Sequence, residues 1–231
     1  MNPSRVLLAV NGIDGSGKSF MAKRLAAAMI GDDVPTIAIS VDDFRRPISW
    51  TAEGRSETDI YYDDYFDLAE LDRCLTAFLA GAASYEIQIF DSQAHRIVGT
   101  RELDFRDRRL AIVEGIFALR VAAIAARAGI VYLKTGFSEA RHRITTRDTA
   151  RGRTPEDVNH RIDVRYFPGQ RRYIADHNPE KRAHILIDNE DVRAPRLLRY
   201  DADPIRALSG AEVEAVLNSV FAGLPDRAPA P

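Results

Sequence analysis

Cysteine occurs once in this chain, at Cys74, so no internal disulfide can form and a reducing compartment is the natural setting. Cys74 falls inside an apolar helical pattern and reads as a buried thiol, not a nucleophile. A dominant charge is missing too. The formal net charge is −2, whereas a general nucleic-acid binder carries a large basic excess. No apolar run approaches the roughly 20 residues that cross a bilayer, so no membrane association is expected. A strand-like run begins within five residues of Met1, which leaves no room for a signal peptide, and a cytoplasmic setting is expected. No internal repeat is visible. What remains is 231 residues with 45% hydrophobic and 29% charged side chains, ordinary values for one α/β domain with a small lid.

The informative stretch is Gly12-Ile13-Asp14-Gly15-Ser16-Gly17-Lys18-Ser19, which fits the phosphate-loop template G-x-x-x-x-G-K-[ST] at every fixed position. Residues 5–10 form a short apolar run suited to a buried parallel strand. Phe20 to Ile30 carries Leu25, Ala26 and Met29 at helical spacing. Strand, glycine turn and helix together curl backbone N–H groups around an anion, and the helix dipole reinforces them. Lys18 then reaches the β/γ-phosphates of a nucleoside triphosphate and the Ser19 hydroxyl binds magnesium.

Thr36 to Val41 reads as a second strand, delivering Asp42 and Asp43 to the same sheet edge as the loop, because ligands sit outside the carboxyl ends of such strands. One of the two aspartates accepts a proton from an attacking hydroxyl or helps to hold magnesium. Residues 45–65 read as a long polar connection ending in Tyr61-Tyr62-Asp63-Asp64-Tyr65, the kind of loop that lines a site. Asp67 caps a helix running to about Ala80. Glu86 to Phe90 and His95 to Phe105 alternate as a β-hairpin beside the main sheet. Leu110 to Gly115 is a central strand carrying Glu114, an acid placed to complete the magnesium environment. Leu119 to Ala128 reads as a helix and Gly129 to Leu133 as another buried strand.

Ser138 to about Ala150 is an arginine-bearing helix, followed by Arg151-Gly152-Arg153 and a second helix with Thr154 as N-cap and Pro155 at its first position. Between residues 141 and 182 stand ten arginines and one lysine against six acids. Two helices meeting at a basic hinge suit a lid over about residues 143–165, with Arg147 and Arg153 swinging onto the transferring phosphoryl group. His184 to Asp188 reads as the last strand. Ser209 opens a final amphipathic helix to about Phe221, and residues 225–231 look like a frayed tail.

These residues together resemble the uridine kinase family of phosphate-loop kinases, with phosphoribulokinase a more distant relative, over about residues 5–190. The marks are Gly12 to Ser19, Asp42-Asp43-Phe44, Phe90-Asp91 with His95, Val113-Glu114-Gly115-Ile116, and Arg147-Asp148 with Arg151-Gly152-Arg153. The resemblance implies a mostly parallel, three-layer α/β/α nucleoside-kinase-like fold with a helical lid and a small hairpin excursion. It implies ATP and Mg2+, with Ser19 and Glu114 holding the metal and Asp42 near it as general base for a sugar 5′-hydroxyl. It implies Tyr62-Asp63 gripping ribose, Phe90 and His95 contacting a pyrimidine, and Arg147, Arg151 and Arg153 contacting phosphates and acceptor. Phe90 stands where the family carries a tyrosine, the Tyr62-Asp63 segment is shorter than usual, and the step from Arg147 to Arg151 is one residue short. All three departures touch the acceptor side and none touches the triphosphate side.

The leading expectation is an ATP-dependent phosphotransferase acting on a small-molecule hydroxyl, with uridine or cytidine as first acceptor. Another ribosyl compound, a sugar phosphate or a pantothenate-like alcohol is the sister expectation. A GTPase switch would need an Asn-Lys-x-Asp motif, which the chain lacks. A non-catalytic nucleotide sensor would have no use for Asp42, Glu114 and the lid arginines. The sequence is compatible with a homo-oligomer and leaves the assembly open.

Overall fold

Short apolar runs alternate with helical stretches along the chain, the pattern of parallel strands joined by crossover helices. The computed structural model describes residues 5–31 and 34–201. The elements are β1 (Val6–Gly12), α1 (Lys18–Gly31), β2 (Thr36–Ser40), α2 (Glu57–Asp63), α3 (Leu68–Leu79), β3 (Ser84–Asp91), β4 (Arg96–Asp104), β5 (Leu110–Glu114) and α4 (Ala122–Arg127). They continue with β6 (Gly129–Lys134), α5 (Phe137–Ala150), α6 (Pro155–His160), α7 (Phe167–His177), α8 (Pro179–Arg182), β7 (Ile185–Asp188) and β8 (Arg196–Tyr200). Single helical turns at Val41–Phe44 and Ala118–Arg120, and a π-type stretch at Arg161–Tyr166, complete the path.

The main sheet has strand order β2-β5-β1-β6-β7-β8, parallel except for the last pair, and β3 with β4 forms a separate hairpin. Because β1 is buried on both faces, its residues divide by the two-residue period of a strand. Val6, Leu8 and Val10 join Met21, Leu25 and Met29 of α1, whereas Leu7 and Ala9 belong to the cluster containing Leu75 and Phe78 of α3. Register then sets the site. Glu114 pairs across to Val10 on one side and to Ser40 on the other, so β1, β5 and β2 end level on one edge.

Three expectations change. The stretch 45–65 is not all loop, because Ser56 accepts a hydrogen bond from the Asp59 amide at 3.1 Å and starts α2. The expected helix from Leu119 to Ala128 is a single turn followed by the shorter α4. β7 is not the last strand. The exposed β8 pairs antiparallel with it by backbone bonds, and its sequence Arg-Leu-Leu-Arg-Tyr shows no alternation to announce a strand. The helix expected from Ser209 and the tail at 225–231 lie outside the described residues. Among the described residues no helix is long and apolar enough to cross a membrane. Cys74 is buried, and burial pushes its thiol up to about 12.

Phe117 is the hub between the sheet and the aromatic side of the site. It is fully buried at a left-handed φ of +65°, with rings of Tyr61, Tyr62 and Tyr173 centred 5.2, 5.2 and 5.4 Å away. Phe117→Ala is expected to lower unfolding free energy by about 3–5 kcal/mol, the usual cost of emptying such a site. Urea denaturation measures it, and a loss under about 1 kcal/mol would mean the ring is not a packing centre.

Candidate active site

The loop after β1 folds as it does because its glycines leave no room for side chains. A Cβ on Gly12 would lie 2.5 Å from Ser16 Oγ and 2.8 Å from the Leu133 carbonyl oxygen, and Gly17 sits at φ +93°. The loop is braced from behind. Asn11 Oδ1 accepts the Gly12 amide at 2.7 Å, and Asn189, just past β7, donates from Nδ2 to the Ser16 carbonyl at 2.7 Å. Lys18 Nζ donates to the Ile13 carbonyl at 2.9 Å, which spans the mouth of the loop with a buried ammonium. The Ser16 hydroxyl is buried without a hydrogen-bond partner. A cradle of amides, one ammonium and an unsatisfied hydroxyl fits a bound phosphate oxygen.

Asn189 was not legible as a site residue, because nothing in its neighbourhood marks it and only the β6–β7 pairing brings it under the loop. Asn189→Ala leaves the Ser16 carbonyl without its buried donor. It is expected to cost about 1–3 kcal/mol of stability and to weaken nucleotide binding with it. Thermal denaturation with and without ATP reads both effects; unchanged ATP-induced stabilisation would separate Asn189 from the loop's function.

Across from the loop stand the two acids. Glu114 accepts a hydrogen bond from Ser19 Oγ at 3.0 Å on one carboxylate oxygen and from Ser40 Oγ at 2.6 Å on the other. Ser40, which no motif marks, also accepts the Asp42 amide at 3.2 Å and so ties the two acids together. Asp42 Oδ1 accepts both Nε and Nη2 of Arg45, at 3.2 and 2.9 Å, and among the described residues Oδ2 has no hydrogen-bond donor. Asp43 turns toward the hairpin and pairs with Arg101, so of the two aspartates only Asp42 lines the site. Among the described residues no three His, Cys, Asp or Glu side chains gather to hold a metal unaided. Ser19 and Glu114 form the smaller set that suits magnesium, which keeps waters and takes its other oxygens from substrate phosphates.

The third wall comes from the end of α5 and the turn after it, where Gly152 adopts φ +88°. Arg147 reaches Asp14 of the loop at 3.2 Å, and Arg147 and Arg153 both donate to the buried carboxylate of Asp148, at 2.7 and 2.8 Å. Burial works to raise the Asp14 carboxyl, but the charges of Arg147 and Lys18 and the bonds from Arg147 and the Gly15 amide hold it below the usual range. Asp14 is therefore ionised at neutral pH. Arg151 lines the same cavity with no ion pair among the described residues.

Loop, acids and arginines surround one cavity of about 310 Å³. Tyr61, Tyr65 and Tyr166 form its aromatic side, with Tyr61 centred 5.4 Å from Tyr65 and 5.3 Å from Tyr166. Tyr62, Asp63, Phe90 and His95 are not brought here. Tyr61 of α2 and Tyr65, just past the end of that helix, line the cavity, whereas Tyr62 turns away, its hydroxyl donating to Asp176 at 3.0 Å. Asp63 pairs with Arg55, Arg120 and Arg172. Phe90 and His95 lie on the hairpin, whose Ser92 is its only lining residue. The choice of Tyr61 over Tyr62 was readable in principle, since successive helical residues point to different faces, but only once α2 is recognised as a helix.

Compared with known families, the chain matches the phosphoribulokinase/uridine kinase family over residues 7–194. It belongs to that family. This protein is thus a kinase, a phosphotransferase of a nucleotide-binding phosphate-loop family that uses ATP and takes small-molecule substrates. Among solved structures, a possible uridine kinase from Bacillus stearothermophilus is similar at 18% identity and TM-score 0.61, over 80% of this chain and 90% of that one. A protein assigned as a fructose transport system kinase from Silicibacter sp. TM1040 is similar at 22% identity and TM-score 0.63, over 75% and 86%. Phosphoribulokinase from Rhodobacter spheroides is similar at 14% identity and TM-score 0.56, over 81% and 71%. At these identities the likeness shows the fold, an α/β phosphate-loop kinase with a mostly parallel sheet. No curated protein matches the chain.

Proposed function

We propose that this kinase transfers the γ-phosphoryl group of ATP to a hydroxyl of a small molecule, with the 5′-hydroxyl of uridine or cytidine as first acceptor. The observation that carries the reading is Asp42, with one oxygen pinned by Arg45 and the other without a donor among the described residues, on the same cavity as Lys18 and Ser19. Asp42 takes the proton of the acceptor hydroxyl as its oxygen bonds to the γ-phosphorus. The bond from that phosphorus to the bridging oxygen breaks, and ADP leaves with the electron pair. Lys18, Arg147 and Arg153 balance the charge that spreads over the transferring group, and positioning accounts for the rest of the acceleration. The loop of Gly12, Asp14, Gly15, Ser16 and Gly17 wraps the phosphates, and Arg151 joins it when residues 143–165 close as a lid. Magnesium, held by Ser19 and Glu114 with Asp42 near, would neutralise charge on the β- and γ-oxygens.

A second reading keeps the kinase and changes the acceptor to an anionic one, such as a sugar phosphate or a pantothenate-like alcohol. Arg151 favours it, as a guanidinium on the cavity with no carboxylate partner among the described residues. A panel of nucleosides, sugar phosphates and other alcohols, assayed for acceptor-dependent ADP release, tests both. Turnover with pyrimidine nucleosides supports the first reading, turnover only with anionic alcohols the second, and ATP binding without any turnover refutes both. Chelation by EDTA is expected to abolish turnover and excess Mg2+ to restore it; activity that survives chelation would remove the metal role of Ser19 and Glu114.

A further inference from the structure

Asp148 is the one carboxylate of the lid that has left water. Its side chain is 2% exposed, whereas its partners Arg147 and Arg153 are 38% and 41% exposed. It stands in the last turn of α5, where a negative charge opposes the helix dipole, so the helix itself gives no reason for an acid there. Taking a carboxylate out of water is costly, and buried ion pairs are commonly replaceable by neutral groups without loss of stability. Fold stability is therefore a weak reason for Asp148.

The contacts supply a better one. Arg147 gives Nε to Asp148 at 2.7 Å and keeps Nη1 and Nη2 toward Asp14, at 3.2 and 3.5 Å. Arg153 gives Nη1 at 2.8 Å to the other oxygen of the same carboxylate. The chain wraps around the same residue, since the amides of Arg151 and Arg153 both donate to the Asp148 carbonyl at 3.2 Å. A guanidinium has five donors in a rigid fork, so fixing one edge aims the others. Freed of Asp148, two long half-exposed side chains would spread over many rotamers.

We propose that Asp148 is the positioning residue of the lid, acting by holding Arg147 and Arg153 toward the γ-phosphate. This rests on the reading that those two arginines serve phosphoryl transfer. Misplacing them is expected to lower kcat about 10²-fold. The test is a cycle of Asp148→Asn, Arg147→Ala/Arg153→Ala, and all three changes together, with melting temperatures measured alongside. Asp148→Glu, which keeps the charge but displaces both guanidinium groups, stands in if Asp148→Asn does not fold.

The expected result is a loss of kcat in Asp148→Asn with a near-native melting temperature, and no further loss when it is added to the arginine-less background. An equal loss in both backgrounds, or wild-type turnover in Asp148→Asn, overturns the proposal. A second readout needs no acceptor: the ratio of Kd for ADP to Kd for a non-hydrolysable ATP analogue, which Asp148→Asn should reduce as far as the arginine variant does. If the arginine variant loses turnover and that preference while Asp148→Asn keeps them, the positioning role alone fails. If the arginine variant keeps both, the lid-arginine reading fails and this proposal with it.

Discussion

Asp42→Asn is expected to lower kcat by about 10²–10⁴-fold, the range that a positioned general base contributes. Its ATP affinity should stay within a few-fold of wild type. The separation follows from the structure. Asp42 enters from β2, lies more than half exposed, and contacts Arg45 and not the phosphate loop. An exposed ion pair of this kind contributes about 0–1 kcal/mol to stability, so the variant should melt close to wild type. A steady-state assay with acceptor, paired with a direct ATP-binding measurement, checks both halves. Retained turnover would remove Asp42 from the proton-acceptor role, and lost ATP binding would mean that it serves the metal instead.

Lys18→Ala should strike the other half of the site. The ammonium is buried at the start of α1, spans the loop to the Ile13 carbonyl, and contributes to the field that keeps Asp14 ionised. Removing one preorganised charge from a water-poor phosphate site typically costs about 10²–10³ in kcat, and here nucleotide binding should weaken as well. Wild-type protein saturated with ATP at 100 times its Kd gains about 2.7 kcal/mol of stability, and the variant should gain little at the same concentration. A melting-temperature titration measures this. ATP-induced stabilisation equal to wild type would show that the loop amides alone hold the triphosphate.

The fold was largely legible because its signals are local. Gly12 to Ser19 between an apolar run and a helix needs no distant partner to be read, and Thr154-Pro155 announces α6 by capping chemistry alone. The elements that escaped lack local signals. β8 is exposed throughout and exists by pairing with β7, and α2 hides in a polar, aromatic stretch whose Ser56 cap is easily taken for a turn. The expected base Asp42, the expected metal acid Glu114 and the expected lid arginines Arg147, Arg151 and Arg153 do share one cavity with Lys18 and Ser19. Tyr62, Asp63, Phe90 and His95 do not join them, since that depended on which way a helix face and a hairpin point.

By itself the sequence determined that this chain builds a phosphate-binding loop on a buried parallel strand and ends two further strands in acids, because those traits are written in glycine spacing and hydrophobic runs. Only the tertiary structure decided that Ser40 joins the two acids, that Asn189 braces the loop, that Tyr61 and Tyr65 replace Tyr62 at the cavity, and that Asp148 gathers two arginines. The first two are contacts between segments far apart in the chain, the third is a choice of which residues face inward, and the last, though local, depends on burial and on the turn after α5. Strand register, side-chain burial and the direction of a guanidinium set them, and none of the three leaves a mark at a fixed spacing in the sequence.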